Sequence, residues 1–332
     1  MSDYQGVTVQ IEYKAGTILP ISLEGLGIGR KLADSLGQTL SAIIPGSSIA
    51  DLVPAAIAAG ADRVYVIDDA LLREYRPEAY LSVLEKVIGE IKPQIIILGQ
   101  TDTGRDLAPR LAFRLGTAAT LDCVELDIDP DSKRLLQTKP VYGGNALAVF
   151  TTETDPQVVT IRTKAMTAAV PDTARQGEVI NVPAGLDESA LKIKTVDHIV
   201  EEVAGVKIED AATVVAGGRG IGSSDGFKQL EELAKLLKGA VGASRPPCDN
   251  GWVPDTIQVG LTGKIIAPDL YVAVAISGSS QHMSGCSGSK SIIAINKDKE
   301  ANIFRHARFG VVGDWKKVLP AFTAKIKELV TA

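Results

Sequence analysis

Short apolar runs alternating with amphipathic stretches constrain this chain more than any other feature. "LSAIIPG" (40–46), "RVYVIDD" (63–69) and "QIIILGQ" (94–100) are too short for core helices and too apolar for a solvent face, so each reads as a buried strand. Between them, "SSIADLVPAAIAAGA" has helical spacing, with Pro54 in the first turn where it is tolerated. In "PEAYLSVLEKVIGEIKP", Tyr80, Leu81, Leu84, Val87, Ile88 and Ile91 recur at three and four, and the helix must stop before Pro93. "TGRDLAPRLAFRLG" predicts the next helix, and "GVTVQIEY" near the N-terminus alternates like a strand. Strand–helix alternation at this spacing predicts a parallel sheet with right-handed crossovers.

The pattern breaks in the middle. "KRLLQTKPVYGG", "NALAVFTT" and "QVVTIRTK" read as short strands, "AVPDTARQGEVINVPAG" as a Pro/Gly-punctuated loop, and "IKTVDHIVEEV" as one more strand. The βα pattern restarts after residue 205, which divides the chain into 1–204 and 205–332. In "ATVVAGGRGIGSSDGFKQLEELAKLLKG" a strand runs through a Gly-rich loop into a helix. Its buried stripe is Phe227, Leu230, Leu233, Ala234 and Leu237, with Ser224 or Asp225 as cap and Gly239 as terminator. "AVGASRPP" predicts a strand and a turn. "IQVGLTGKIIAP", "LYVAVAISGSSQHMSG" and "SIIAINKDKE" predict further strands. "FGVVGDWKKVLPAFTAKIKELV" predicts a strand, Asp314 as N-cap and a terminal helix. The fold class expected is α/β, with two Rossmann-like parallel-sheet domains.

Composition removes several functions. Lys plus Arg is 35 against 40 Asp plus Glu, with no basic run, so neither nucleic acid nor an anionic membrane surface is an expected partner. No segment nears 18 continuous apolar residues, and "MSDYQGVTVQ" has no apolar signal core, so a cytoplasmic protein without membrane insertion is expected. Cys123, Cys248 and Cys286 lie far apart without a CxxC pair, and His198, His282 and His306 show no ligand spacing, which argues against a disulfide framework or a metal centre. No GxSxG, HExxH or Walker loop occurs. Cys286 and His282 are near in sequence, but local spacing is no evidence of a Cys–His nucleophile, and an inert packed thiol is much the better reading of Cys286.

The strongest functional signal is the set of strand ends in the second half. "AGGRG", "GASR", "VGLTG", "SGSSQH", "INKD" and "VGDW" all follow apolar runs and all carry small or polar residues. In a parallel sheet these loops share one edge, where ligands bind. Bare backbone allows close approach, and free N–H groups at helix starts suit phosphate oxygens. Arg219 and Arg245, each inside such a loop, are candidates for a phosphate or for the face of an aromatic ring. A solvated or ion-paired Arg is the simpler alternative. His282, Asn296 and Asp314 have ordinary readings as capping and turn residues. "GGRGIG" is not the dinucleotide fingerprint, because Ser223 stands at the last Gly position.

Taken in order and spacing, "VVAGGRG", "AVGASR", "QVGLTGKIIAPDLYVAVAISGSSQHMSG", "IIAINKDKEANIF" and "GVVGD" closely resemble the FAD-binding domain of the electron-transfer flavoprotein alpha subunit. The first half resembles the family's N-terminal domain more loosely, through "GRDLAPRLA" and "VYGGNAL". The resemblance implies FAD held mainly by residues 205–332 and a beta-subunit partner carrying AMP or a second FAD. It also implies electron passage from an acyl-CoA-type or other flavin dehydrogenase to an acceptor. By the same resemblance, Arg219 lies near the FAD phosphates, and Ser244 and Arg245 form a Ser-Arg pair whose Arg lies beside the isoalloxazine ring. Val259, Gly260, Leu261 and Thr262 form a turn with the Thr hydroxyl near the reactive nitrogen. Ser277, Gly278, Ser279, Ser280, Gln281 and His282 form a loop facing the N1/C2-carbonyl edge, and Asn296, Asp314 and Trp315 surround the adenosine half. Arg245 and a protonated or donating His282 would stabilise negative charge on the ring. Leu261 replaces a Gln common in the family, and Ala275 replaces a Gly. "LLQTKPVYGGNALAVF" resembles bacterial members that bifurcate electrons. A nicotinamide- or thiamine-linked enzyme using the same crevice, or a nucleotide-binding scaffold, are the alternatives.

Overall fold

The computed structural model describes residues 3–144, 146–197 and 206–331. Its contacts define two compact units: the first runs to Pro140 and resumes at Leu147, and the second comprises Val141–Ala146 and the C-terminal residues. The boundary expected at 204/205 lies outside the described residues.

In chain order the first unit contains β1 (Val7–Gln10), a hairpin of β2 (Tyr13–Lys14) and β3 (Thr17–Ile18), α1 (Pro20–Leu36), β4 (Leu40–Gly46) and α2 (Val53–Ala58). There follow β5 (Arg63–Asp68), α3 (Pro77–Ile91), β6 (Ile95–Gly99), α4 (Asp102–Arg114) and β7 (Ala119–Cys123). Next come β8 (Glu125–Ile128), β9 (Leu135–Val141) and β10 (Ala146–Phe150), which make a separate three-stranded sheet, then β11 (Gln157–Ile161) and β12 (Glu178–Asn181). Seven strands pair in the order β12-β5-β4-β1-β6-β11-β7, all six pairs parallel. Both faces are covered, as unbroken apolar strands require: Ile95 and Ile97 join one core, Ile96 and Leu98 the other.

Three sequence expectations fail here for identifiable reasons. Helix α1 stands where no element is expected, because Gly25, Gly27 and Gly29 dilute its apolar stripe. Those glycines are packing positions: a Cβ at Gly27 would lie 2.3 Å from the Thr167 carbonyl oxygen, and one at Gly29 would lie 2.8 Å from Leu40. The 169–185 segment is not all loop, since Glu178–Asn181 adds edge strand β12 beside β5. Residues 193–197 of the expected strand "IKTVDHIVEEV" have no regular structure, and its remainder lies outside the described residues.

The second unit contains β13 (Thr213–Gly217), α5 (Ser224–Leu236), β14 (Ala240–Ala243), α6 (Arg245–Asp249) and β15 (Leu270–Val274). It continues with α7 (Ser280–Cys286), β16 (Ser291–Asn296), α8 (Ile303–His306), β17 (Phe309–Val312) and α9 (Trp315–Thr331). Its five strands are parallel, in the order β14-β13-β15-β16-β17. Alternation again feeds two cores: Tyr271 and Ala273 face one, Val272 and Val274 the other.

Three local expectations change. The residue entering α5 is Ser223 rather than Ser224 or Asp225, and Asp225 instead pairs with Lys228 at 2.7 Å. "IQVGLTGKIIAP" is not a ladder strand; its regular contacts reduce to isolated bridges, Ala243 with Gln258 and Val259 with Lys264. "SRPP" forms the start of α6 because prolines at the first helical positions lose no intrahelical bond. Asp314 caps α9 as expected, its Oδ1 accepting from the Lys316 N–H at 3.0 Å. No helix among the described residues is long and apolar enough to cross a membrane.

Candidate functional site

The loops after β13, β14, β15 and β16 meet at one edge of the second sheet, and the bridged turn at 259–264 joins them. Together they enclose a cleft of about 760 Å³. Of the residues expected from sequence, Arg219, Ser244, Arg245, Val259, Gly260, Leu261, Thr262, Ser277, Ser279, Gln281, His282 and Asn296 line it. Gly278, Ser280, Asp314 and Trp315 do not. Gly278 shapes the wall from behind: at φ 78° a Cβ there would sit 2.3 Å from the Ile303 nitrogen, so the loop closes only on glycine. Trp315, buried, donates its Nε1–H to the Gly220 carbonyl at 2.9 Å and so fixes the loop that carries Arg219.

Donors concentrate in this cleft. Among the described residues, the backbone N–H groups of Ser277, Gly278 and Ser279 find no acceptor in the chain. Helices α5, α6 and α7 each begin after a serine, Ser223, Ser244 and Ser279, and none of these hydroxyls caps its own helix. Arg219 and Arg245 are both exposed to the cleft. Arg245 opens α6 and is held by Asp249 one turn later, Nε to Oδ2 at 3.2 Å. Sequence reasoning missed Asp249 because it read "SRPP" as a turn; an Arg and an Asp four apart across a proline start was the available signal.

The 259–262 turn is clasped to α7. The Leu261 N–H donates to the Gln281 carbonyl at 2.8 Å, and a Cβ on Gly285 would lie 2.3 Å from the Gly260 nitrogen. Gln258, buried and not anticipated, donates its Nε2–H to the Thr262 hydroxyl at 3.0 Å, leaving that hydroxyl's own proton free to point elsewhere. Leu261, where the family resemblance expects Gln, is 59% exposed and offers no polar atom. Asn296 is buried and bridges strand ends, donating to the Ile276 carbonyl at 2.8 Å and accepting from the Asp298 N–H at 3.0 Å.

Of the two states expected for His282, protonated or donating, burial disfavours the protonated one. The side chain is buried, which pushes its pKa down to about 4, so the ring is neutral at pH 7. Its Nδ1 lies 3.0 Å from the Val259 carbonyl oxygen and its Nε2 lies 2.8 Å from the Tyr271 hydroxyl. Cys286 is no nucleophile: burial pushes its thiol up to about 12, and it donates to the His282 carbonyl at 3.6 Å.

Fold and cleft together define an α/β protein with a donor-lined cleft at the strand edge of its second sheet. Comparison with known proteins makes this specific. The family described as "Electron transfer flavoprotein domain" matches residues 7–187, and "Electron transfer flavoprotein FAD-binding domain" matches residues 207–287. The electron transfer flavoprotein subunit alpha of Thermoanaerobacterium thermosaccharolyticum is 43% identical, across 99% of this chain and 100% of that protein. That of Megasphaera elsdenii is also 43% identical, across 99% and 98%. Protein FixB of Clostridium saccharobutylicum is 41% identical, across 100% and 99%. The chain belongs to the electron transfer flavoprotein alpha-subunit family. A thiamine diphosphate-dependent 4-hydroxybenzoylformate decarboxylase from Rhodococcus jostii aligns with 12% identity over 92% of this chain and 54% of that chain, at a TM-score of 0.23, which supports no argument for a thiamine-linked enzyme.

Proposed function

We propose that the cleft of the second unit holds FAD, and that this chain, paired with a beta subunit, relays electrons between a flavin dehydrogenase and an acceptor in the cytoplasm. The observation that carries this is the group of unpaired N–H donors at Ser277–Ser279, set beside two exposed arginines in one cleft. Such a surface suits a ligand that is anionic along one part and flat and carbonyl-bearing along another.

The residues present fit the group. The 277–279 backbone and Arg219 would take diphosphate oxygens. Arg245, Thr262 and the 259–262 turn would border the ring, and Asn296 holds the strand-end backbone around them. Bound FAD supplies electron acceptance and release, chemistry that no side chain of this cleft offers. The protein's part is placement and charge. The Arg245 guanidinium favours negative charge beside it, which raises the tendency of a nearby ring to take electrons. Asp249, at 3.2 Å from Arg245, moderates that field. Thr262 keeps a hydroxyl proton available because Gln258 already supplies the donor in their mutual bond.

Coexpression with the beta subunit tests the reading. The purified pair is expected to be yellow, to bleach with dithionite and to recolour in air. A colourless pair that takes up no FAD would remove it. Flavin and nucleotide counts then separate two forms of the function: one FAD with AMP for a plain carrier, two FAD for an electron-bifurcating complex.

A further inference from the structure

The cleft contains a buried hydrogen-bond chain that the reading above does not use. Tyr271 sits on β15, fully buried, and packs in the core beneath the cleft. Phenylalanine would fill the same volume without the cost of burying a hydroxyl. The hydroxyl is therefore informative: it lies 2.8 Å from His282 Nε2, and His282 Nδ1 lies 3.0 Å from the Val259 carbonyl oxygen. A carbonyl oxygen only accepts, so Nδ1 carries the imidazole proton. In the neutral ring Nε2 is then a bare acceptor, and the Tyr271 O–H donates to it. The chain runs from strand β15 through α7 to the 259–262 turn, with the Cys286 thiol as the hydroxyl's other polar neighbour. Both ring nitrogens are engaged within the protein, so His282 lines the cleft with no ring N–H left to offer.

We propose that Tyr271 is a positioning residue of the cofactor cleft: its hydroxyl donates to Nε2 of the His282 ring, whose tautomer the Val259 carbonyl sets, and so holds that ring where its Nδ1–H anchors the Val259 carbonyl and the turn that presents Gly260 and Thr262. The inference rests on the reading of the cleft as an FAD site. On this account His282 acts through the backbone it holds rather than as a charge facing the cofactor. The turn needs such an anchor. It belongs to no ladder strand, Gly260 has φ 146°, and its remaining tie to α7 is the Leu261–Gln281 backbone bond at 2.8 Å. A partner on the second nitrogen is a usual way for a protein to fix the orientation of a histidine ring.

Two experiments on the full-length chain test this. The chain has three histidines, His198, His282 and His306, so ¹⁵N spectra of its imidazoles are tractable. Before FAD is added, His282 is expected to show a protonated Nδ1 and an unprotonated, hydrogen-bonded Nε2. Tyr271→Phe should move the Nε2 resonance to that of an acceptor nitrogen without a donor, with Nδ1 still protonated. A wild-type ring protonated at Nε2, or a spectrum unchanged by Tyr271→Phe, overturns the proposal. The second experiment is FAD titration of the chain with its beta subunit. Tyr271→Phe should weaken binding about tenfold, the effect of losing one buried hydrogen bond. His282→Asn keeps an N–H donor where Nδ1 stood, and on that background Tyr271→Phe should cost less than twofold. An equal loss on both backgrounds would make Tyr271 a packing residue only. If the wild-type pair takes up no FAD, the reading of the cleft fails, while the ¹⁵N spectrum still decides the hydrogen-bond chain.

Discussion

The two sheets present the same kind of edge and treat it in opposite ways. In the first unit, acceptor side chains of the chain itself take up the loop donors. Asp68, ending β5, accepts from the Ser48 N–H at 2.8 Å and the Ile49 N–H at 3.3 Å. Tyr13 accepts from the Ser47 N–H, and Glu12, just beyond β1, accepts from the Thr101 hydroxyl at 2.8 Å while Thr101 caps α4. In the second unit the corresponding loops carry glycine and serine, their helix-start hydroxyls do not cap, and N–H groups stay unpaired. A parallel sheet therefore supplies only the opportunity for an anion site. Which residues follow the strands decides whether the chain satisfies its own donors or leaves them for a ligand.

The largest expected effect comes from closing the open edge. Gly278→Val forces a branched side chain onto a left-handed backbone, 2.3 Å from the Ile303 nitrogen. It should cost at least about 2 kcal/mol in urea unfolding and abolish FAD retention. Normal flavin content in this variant would mean that the 277–279 backbone is not the cradle.

Next in size is Arg245. Arg245→Ala should leave the fold intact, weaken FAD binding by about tenfold, roughly one charge-assisted hydrogen bond, and lower the flavin potential. Asp249→Asn frees the same guanidinium and should shift the potential slightly upward. A redox titration in which both variants match wild type would remove Arg245 from the site.

The first unit's edge should respond to pH rather than to flavin. Burial raises Glu12 to about 7, and Glu24 likewise to about 7, against the Thr101 and backbone bonds that oppose it. A carboxyl whose folded pKa lies above its unfolded value binds its proton more tightly when folded. The stability it confers is complete below the ordinary carboxylate pKa and declines until the pH passes about 7. Glu12→Gln should therefore flatten the fall in stability between about pH 5 and 7, by up to about one proton of linkage, and leave FAD binding unchanged. Denaturant unfolding across that range checks it; an unaltered slope would mean that Glu12 is not the buried acid described.

The smallest effect is at Ala275, a non-glycine residue at φ 55° beside the cleft. Ala275→Gly should relieve that conformation and stabilise the chain by about 0.5–1 kcal/mol in thermal or urea unfolding. A loss of stability would show that the methyl group packing toward Gly220 matters more than the backbone strain.

What the sequence disclosed follows from what its residues repeat. Strands such as Ile95–Gly99 and the stripe of α3 were legible because apolar periodicity reports burial directly. Helix α1 was not, because its contact face is glycine, and a missing side chain gives no periodic signal. Edge strand β12 was hidden among Pro and Gly since only its pairing with β5 makes it a strand. In the cleft, loop composition and family resemblance marked most of the lining, including Arg219, Arg245 and the 277–279 loop. Missed were Asp249, Gln258 and Tyr271, which act through partners distant in the chain or one helical turn away. The neutral state of His282 was illegible for the same reason: burial and the bonds to Tyr271 and Val259 set it, and neither is written in local spacing.

Hydrogen–deuterium exchange of the heterodimer with and without FAD puts the central contrast to the test at once. The account predicts slowed exchange at Ser277–Ser279 and around Arg219 on loading, with no change at Ser47–Ile49 or Thr101–Gly104. Protection at those first-unit loops, or unaltered exchange across 277–279 in a pair that demonstrably carries FAD, would contradict it.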